Sequence, residues 1–293
     1  MKKLVKWAAA LFALVLLVSA PAYAQEESGA QTKISNTYNI LLIGVDRRDD
    51  SWSGNSDVMI LVTVNYDKKA IYLTSFLRDL YADIPGIGVE KLNAACANGG
   101  AKLCVETIES NYNVQIDNYA MVDFNSMIAV VDAIGGIDME ITEDERNVAN
   151  DYIRVMCESN GEPASEHTIT QSGQIHMDGY QAVGFSRNRY SGQGSDFGRT
   201  ERQRKVLNAI FDELKSNAVA SAVPLMESVL SYVDHDISYL KMVKLLAQAP
   251  EVLEYDVVQQ HIPYDDMYYS QNEILIPTDM QETIAKLQET IYG

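Results

Sequence analysis

Residues 58–77 read VMILVTVNYDKKAIYLTSFL. Two apolar runs, 58–64 and 70–77, flank a polar turn at 65–69, the pattern of two antiparallel strands joined by a hairpin. The turn centres between Asp67 and Lys68, so Asp57 and Arg78 lie symmetrically about it. Antiparallel pairing then brings these two side chains together at the open edge of the hairpin.

Upstream, 38–45 (YNILLIGV) is a continuous apolar run that reads as a buried strand ending at Asp46. The polar stretch 47–55 (RRDDSWSGN) returns the chain to the hairpin. With this strand antiparallel beside the next, Asp46 reaches the same edge, and two carboxylates and one arginine converge on a rim. Asp46 alone is an ordinary strand-end residue; its company with Asp57 and Arg78 makes it a candidate ligand.

Downstream, the chain alternates. A loop at 83–89 precedes helices at 91–98 and 101–112, separated by Gly99-Gly100. A strand at 118–124 leads to a helix at 125–134, stopped by Gly135-Gly136. The segment 137–141 (IDMEI) alternates as a strand, and 143–157 reads as an acidic helix with a solvated face. A loop at 160–172 follows. Further helices fall at 219–233 and 238–249, late strands at 255–262 and 273–276, and a closing helix at 279–292. Strands alternating with helices predict an α/β fold, a three-layer α-β-α sandwich.

One stretch is chemically distinct: residues 185–205, FSRNRYSGQGSDFGRTERQRK, with Arg187, Arg189, Arg199, Arg202, Arg204 and Lys205. The chain carries 23 Lys+Arg against 41 Asp+Glu, a net charge of −18, so six clustered cations are concentrated to meet an anion. The local reading is a strand at 182–189, with Arg187 and Arg189 on one face. A glycine loop at 190–198 and a helix from Arg199 through 214 follow. Arg199 and Gln203 are one turn apart. A helix N-terminus after a glycine loop, with guanidinium forks beside it, suits phosphate oxygens. The bland alternative is a basic surface paired with neighbouring carboxylates. Arg202, Arg204 and Lys205 read as cover for the helix surface.

The acidic balance excludes nucleic acid and polybasic membrane binding. Residues 1–24 read as a targeting segment: Lys2, Lys3 and Lys6, an apolar run at 7–20, then Ala22-Tyr23-Ala24 before Gln25. The apolar run is short for a membrane span, which needs about 20 residues; the readings are a cleaved signal peptide or an uncleaved anchor. Residues 25–37 read as a linker and 38–293 as a single domain. Cys96, Cys104 and Cys157 leave open either one disulfide or buried thiols. No cysteine–histidine ligand pattern for zinc is present. His167, His176, His235 and His261 fit no triad spacing and read as surface or structural, and no GxSxG motif appears.

These motifs assemble into a known pattern. The segments NILLIGVD (39–46), SDVMILVTVN (56–65), SFLRD (75–79), KLNAACANGG (91–100), VDAIGGI (131–137) and FSRNR…DFGRTERQRKV (185–206) occur in order. In them the chain resembles the LytR-CpsA-Psr family of extracytoplasmic cell-wall enzymes. The last segment is highly specific, and the motif-bearing core is 38–214.

The resemblance implies a mixed central sheet with an apolar lipid pocket. It implies transfer of a glycopolymer from a polyprenyl-pyrophosphate carrier to a peptidoglycan sugar hydroxyl, forming a phosphodiester at the outer face of the cytoplasmic membrane, with Mg²⁺ as cofactor. By position, Asp46 and Asp57 are implied as the metal-side carboxylates. Arg78, Arg187, Arg189 and Arg199 are implied on the pyrophosphate, with Gln203 hydrogen-bonding nearby. Asp79 and Asp196 match acidic positions; either orients an arginine, and Asp79 is also a candidate base. Asn55 stands where the family commonly has arginine, and Leu77 where it often has proline. A pyrophosphatase acting on the same donor and a non-catalytic polyprenyl-phosphate-binding module are the competing readings.

Overall fold

The computed structural model describes residues 36–46, 54–188, 196–216, 231–252 and 254–293. In chain order its strands are β1 (Thr37–Asp46), β2 (Asn55–Asn65), β3 (Ala70–Phe76), β4 (Tyr81–Ile84), β5 (Gly88–Lys91) and β6 (Asn118–Val122). They continue with β7 (Ile137–Ile141), β8 (Gly173–Met177), β9 (Asp234–His235), β10 (Asp256–Ile262), β11 (Tyr268–Gln271) and β12 (Ile274–Pro277). The chain forms two compact units: one is built from the described residues up to Asp123 together with Asp234–Gly293, the other from Phe124–Val233.

The first unit is organised on a mixed six-stranded sheet of order β10-β3-β2-β1-β6-β9. The hairpin of β2 and β3 pairs in the predicted register, from Asn65↔Ala70 to Ile60↔Ser75. β1 lies antiparallel to β2 and parallel to β6, and β10 runs parallel to β3. Strand periodicity sends Leu41, Ile43, Val45, Met59, Leu61, Tyr72 and Phe76 to one face, where they form a core with the helices Ala94–Tyr112 and Met280–Ile291. Ile40, Val62 and Ile71 on the opposite face are also fully buried. The sheet is therefore covered on both sides, which is why its strands read as unbroken apolar runs.

The predicted pair of helices at 91–98 and 101–112 appears as one helical element, Ala94–Tyr112, broken by non-helical backbone at Gly99 and Gly100. Gly100 has φ of +66°, a conformation that glycine adopts without penalty. Lys91 belongs instead to β5, and the predicted loop at 83–89 is the β4–β5 hairpin.

The second unit packs the helices Phe124–Ala133, Glu143–Asn160, Gly179–Ser186 and Asp196–Ser216 with the β7–β8 hairpin around Ile137, Ile153, Val183, Phe185, Val206 and Ile210. The predicted strand at 182–189 is not found here: Gly179–Ser186 is helical and Arg187 caps it with φ −80°, ψ −11°. The helix opens on a capping box, with the Asp178 carboxylate accepting from Gln181 N at 2.9 Å and Gln181 Oε1 accepting from Asp178 N at 3.1 Å. All four of Ala182, Val183, Gly184 and Phe185 are buried, so the helix shows no polar face and looks like a buried strand. Close packing explains its glycines: a Cβ on Gly179 would lie 2.3 Å from the Ile128 carbonyl oxygen.

Cys96, Cys104 and Cys157 are all buried and none is joined in a disulfide. Among the described residues no helix is long and apolar enough to cross a membrane. The reading of residues 1–24 as a targeting segment, that of 25–35 as linker and most of the predicted 219–233 helix lie outside the described residues.

Candidate functional site

The carboxylate–arginine rim is present in the first unit. β1 and β2 pair regularly up to Gly44↔Val58 and then shift, with Val45 opposite Ser56 and Asp46 opposite Asn55. Asp57 is the extra residue of this bulge. A bulge re-aims the side chain it carries and ends regular pairing, a device common beside active sites. Gly44 permits it, because a Cβ there would lie 3.0 Å from the Cβ of Val58.

Arg78 follows the end of β3, and its Nη1 donates to Asp57 Oδ1 at 2.9 Å. Its Nε stands 3.4 Å from Asp79 Oδ2 as an ion pair without hydrogen-bond geometry. The other Asp79 oxygen, Oδ1, lies 2.9 Å from Lys91 Nζ. The turn carrying Arg78 and Asp79 is held by its backbone: Arg78 O accepts from Asn93 N at 3.1 Å and Asp79 O from Leu275 N at 2.8 Å. Asp57, Arg78, Asp79 and Lys91 thus alternate in charge along one row. Each Asp79 oxygen faces a cation, so the carboxylate bridges Arg78 and Lys91 as an ion pair to each.

Asp46 completes the rim. Its Oδ1 is buried and has no hydrogen-bond partner among the described residues. A buried carboxylate oxygen left without a partner is costly and points to a missing cation or donor. Among the described residues, three carboxylates here stand against Arg78 and Lys91, an excess of one negative charge. Among the described residues no group of three or more metal-ligating side chains is assembled. Mg²⁺ does not require one, since it keeps several waters and takes one or two carboxylates.

The second unit carries the arginine stretch. The Arg187 Cζ lies 4.2 Å from the ring centre of Phe124 and 5.1 Å from that of Tyr152. Ring faces hold a guanidinium through its own face and leave its N–H edges for hydrogen bonding. Arg189 lies outside the described residues. Arg199 falls in the first turn of the helix Asp196–Ser216, one turn before half-buried Gln203.

Arg202 overturns the expectation of a surface role. It is only 6% exposed, with Nε on Glu145 Oε1 at 3.2 Å and Nη1 on the Asn188 carbonyl at 3.2 Å. Glu145 in turn closes the capping box of the helix Glu143–Asn160 with Thr142, so this acidic helix is not solvated at that residue. Burial alone would raise the Glu145 carboxyl. The Thr142 amide, Arg202 and the Thr142 hydroxyl outweigh burial and hold it below the ordinary carboxylate range. Arg204 is half-buried, and Lys205 pairs with Glu201 at 3.8 Å on the surface.

Three histidines have local partners: His167 Nδ1 sits 2.9 Å from Asp178, His176 Nδ1 2.7 Å from Asp138 and His261 Nδ1 2.8 Å from the Pro263 carbonyl. Lys91, Phe124, Tyr152 and Glu145 do not stand out in the sequence. Only Glu145 has a readable signal, the T-x-x-E of its capping box.

The sequence profile of the LytR_cpsA_psr family matches residues 18–290. The chain belongs to the LytR-CpsA-Psr family. A family relative from Enterococcus faecalis, the polyisoprenyl-teichoic acid–peptidoglycan teichoic acid transferase TagU, is 34% identical over 222 residues. That match covers 74% of this chain and 67% of the relative. Among solved structures, TagT bound to LI-WTA superposes with a TM-score of 0.66 at 24% identity, covering 90% of this chain and 94% of that one. The LytR-CPS2A-psr family protein YwtF (TagT) with bound octaprenyl pyrophosphate lipid gives a TM-score of 0.62 at 23% identity, covering 90% and 94%. At those identities the likeness is one of fold, and it fits the mixed sheet flanked by helices.

Proposed function

We propose that this protein transfers a glycopolymer from a polyprenyl-pyrophosphate carrier to a hydroxyl of a peptidoglycan sugar, outside the cytoplasmic membrane. The observation that carries the reading is the Asp57–Arg78–Asp79 row beside the unpartnered Asp46 oxygen, in a chain of a family whose relatives include a named teichoic acid transferase. The acceptor oxygen attacks the phosphorus that bears the glycan. The phosphoanhydride bond breaks, polyprenyl monophosphate leaves, and the hydroxyl proton passes to a base. Charge spreads over the phosphoryl oxygens in the transition state, so positioned guanidinium groups are what such a reaction needs from its protein.

Arg78 is assigned to the pyrophosphate, its guanidinium hydrogen-bonded to Asp57 and ion-paired with Asp79. Arg187, Arg189, Arg199 and Gln203 are assigned to phosphate binding on the strength of the family pattern, and the aromatic bed of Arg187 supports its part. Asp46 and Asp57 would hold Mg²⁺, which when bound supplies positive charge towards a pyrophosphate beside these carboxylates. Asp46→Asn should raise the Mg²⁺ concentration needed for half-maximal transfer by about tenfold or more, and excess chelator should abolish transfer in the parent protein. A chelator-treated protein with full activity would remove the metal from the reading.

The test is purified protein with a polyprenyl-pyrophosphate-linked oligosaccharide, a peptidoglycan oligomer and Mg²⁺. A covalent sugar–phosphate–glycan product is expected. Free sugar phosphate alone would make the protein a pyrophosphatase. Binding without turnover, unchanged by Arg187→Ala or Arg189→Ala, would make it a binding module.

A further inference from the structure

We infer that Lys91 is a positioning residue that sets the orientation of Arg78 by acting through Asp79. The inference rests on the assignment of Arg78 to a pyrophosphate group. Lys91 ends β5, opposite Tyr81 of β4, and its Nζ lies 2.9 Å from Asp79 Oδ1. The Asp79 Oδ2 stands 3.4 Å from Arg78 Nε, and Arg78 Nη1 reaches Asp57 Oδ1 at 2.9 Å. The backbone at Asp79 is held by hydrogen bonds to Asn93 and Leu275, which leaves its side chain the freedom to rotate. Lys91 removes that freedom by taking one oxygen. Without it, Asp79 turns both oxygens to the guanidinium, the favoured bidentate arrangement, and draws Arg78 away from Asp57. Lys91 is itself sheltered, its side chain 28% exposed, and its second carboxylate neighbour, Glu273, is 91% exposed and more distant at 3.7 Å. The pair with Asp79 is therefore the one with structural weight.

This assigns work to residues that sequence order hides. Asp79 is the joint between two cations, and the ion reaching the substrate is one step removed from the lysine that aligns it. An arginine at 91 retains the charge and reach; a methionine retains only the length.

The experiment is a double-substitution cycle read by calorimetric affinity for farnesyl pyrophosphate with Mg²⁺, and in parallel by transfer rate. Lys91→Met is expected to weaken affinity and slow transfer by about tenfold, with the melting temperature nearly unchanged because a partly exposed ion pair adds little stability. Lys91→Arg should restore most of the loss, and Glu273→Ala should behave as the parent. In an Asp79→Asn background, adding Lys91→Met should change neither readout further. Additive losses would overturn the coupling through Asp79, and a parent-like Lys91→Met would overturn any positioning role. Unaltered affinity in Arg78→Ala would instead overturn the assignment of Arg78 to pyrophosphate, a result separable from the other two. Should the parent show no transfer, the affinity cycle still decides the coupling.

Discussion

Arg78→Ala is expected to lower the rate of glycopolymer transfer by roughly 10²–10³-fold, measured in single turnover with saturating carrier lipid. Two effects add. The substitution removes a fork of donors aimed where phosphoryl charge develops, and it takes one positive charge from beside Asp57 and Asp79. That loss disfavours the approach of a pyrophosphate before any chemistry begins. Arg78→Lys separates the two effects, since it keeps the charge but loses the planar fork that spans Asp57 and Asp79. It should recover part of the rate and little of the alignment. A rate for Arg78→Ala within twofold of the parent would sink the role given to this rim.

The second large effect concerns stability. Arg202→Met should destabilise the protein by about 3–5 kcal/mol, because it leaves Glu145 charged and buried without the guanidinium that faces it. It also strips a donor from the Asn188 carbonyl, next to Arg187. Urea denaturation at pH 7 reads the loss, and a change under 1 kcal/mol would show the pair to be dispensable. Glu145 gives a pH signature of known sign. Its folded carboxyl is held below the unfolded value of about 4.3, so its stabilisation is present above that pH and disappears as pH falls through the lower, folded value. The stability gap between the parent and Glu145→Gln should therefore narrow in acid below about pH 4. A gap that stays constant from pH 7 to pH 3 would contradict the assigned state of Glu145.

How much of this is legible in sequence depends on how local the controlling interaction is. The hairpin register is readable because a short turn leaves little choice, and the predicted pairing holds from Asn65↔Ala70 to Ile60↔Ser75. That register by itself brings Asp57 to Arg78. The bulge at Asp57 is not readable, since it arises where β1 departs from β2 and depends on close approach at Gly44. The helix Gly179–Ser186 reads as a strand because burial on all sides erases the helical period, although Asp178 and Gln181 spell a capping box. The Arg202–Glu145 pair spans 57 residues of chain and joins two helices whose sequences are both charged. The T-x-x-E capping box marks Glu145 as a helix-start residue, but nothing local marks Arg202 as its buried partner. The family pattern, rather than the physics of single segments, is what groups these arginines as candidates.

The three cysteines offer a use beyond the fold. Burial pushes the Cys104 and Cys157 thiols up, suppressing the thiolate that alkylating reagents require. Cys96 and Cys104 sit in the sheet-bearing unit, and Cys157 in the other. The native chain should thus resist iodoacetamide until a unit opens. The order in which peptides acquire label along a urea gradient then becomes an intrinsic, site-resolved clock of which half of the molecule breathes first, with no engineered probe.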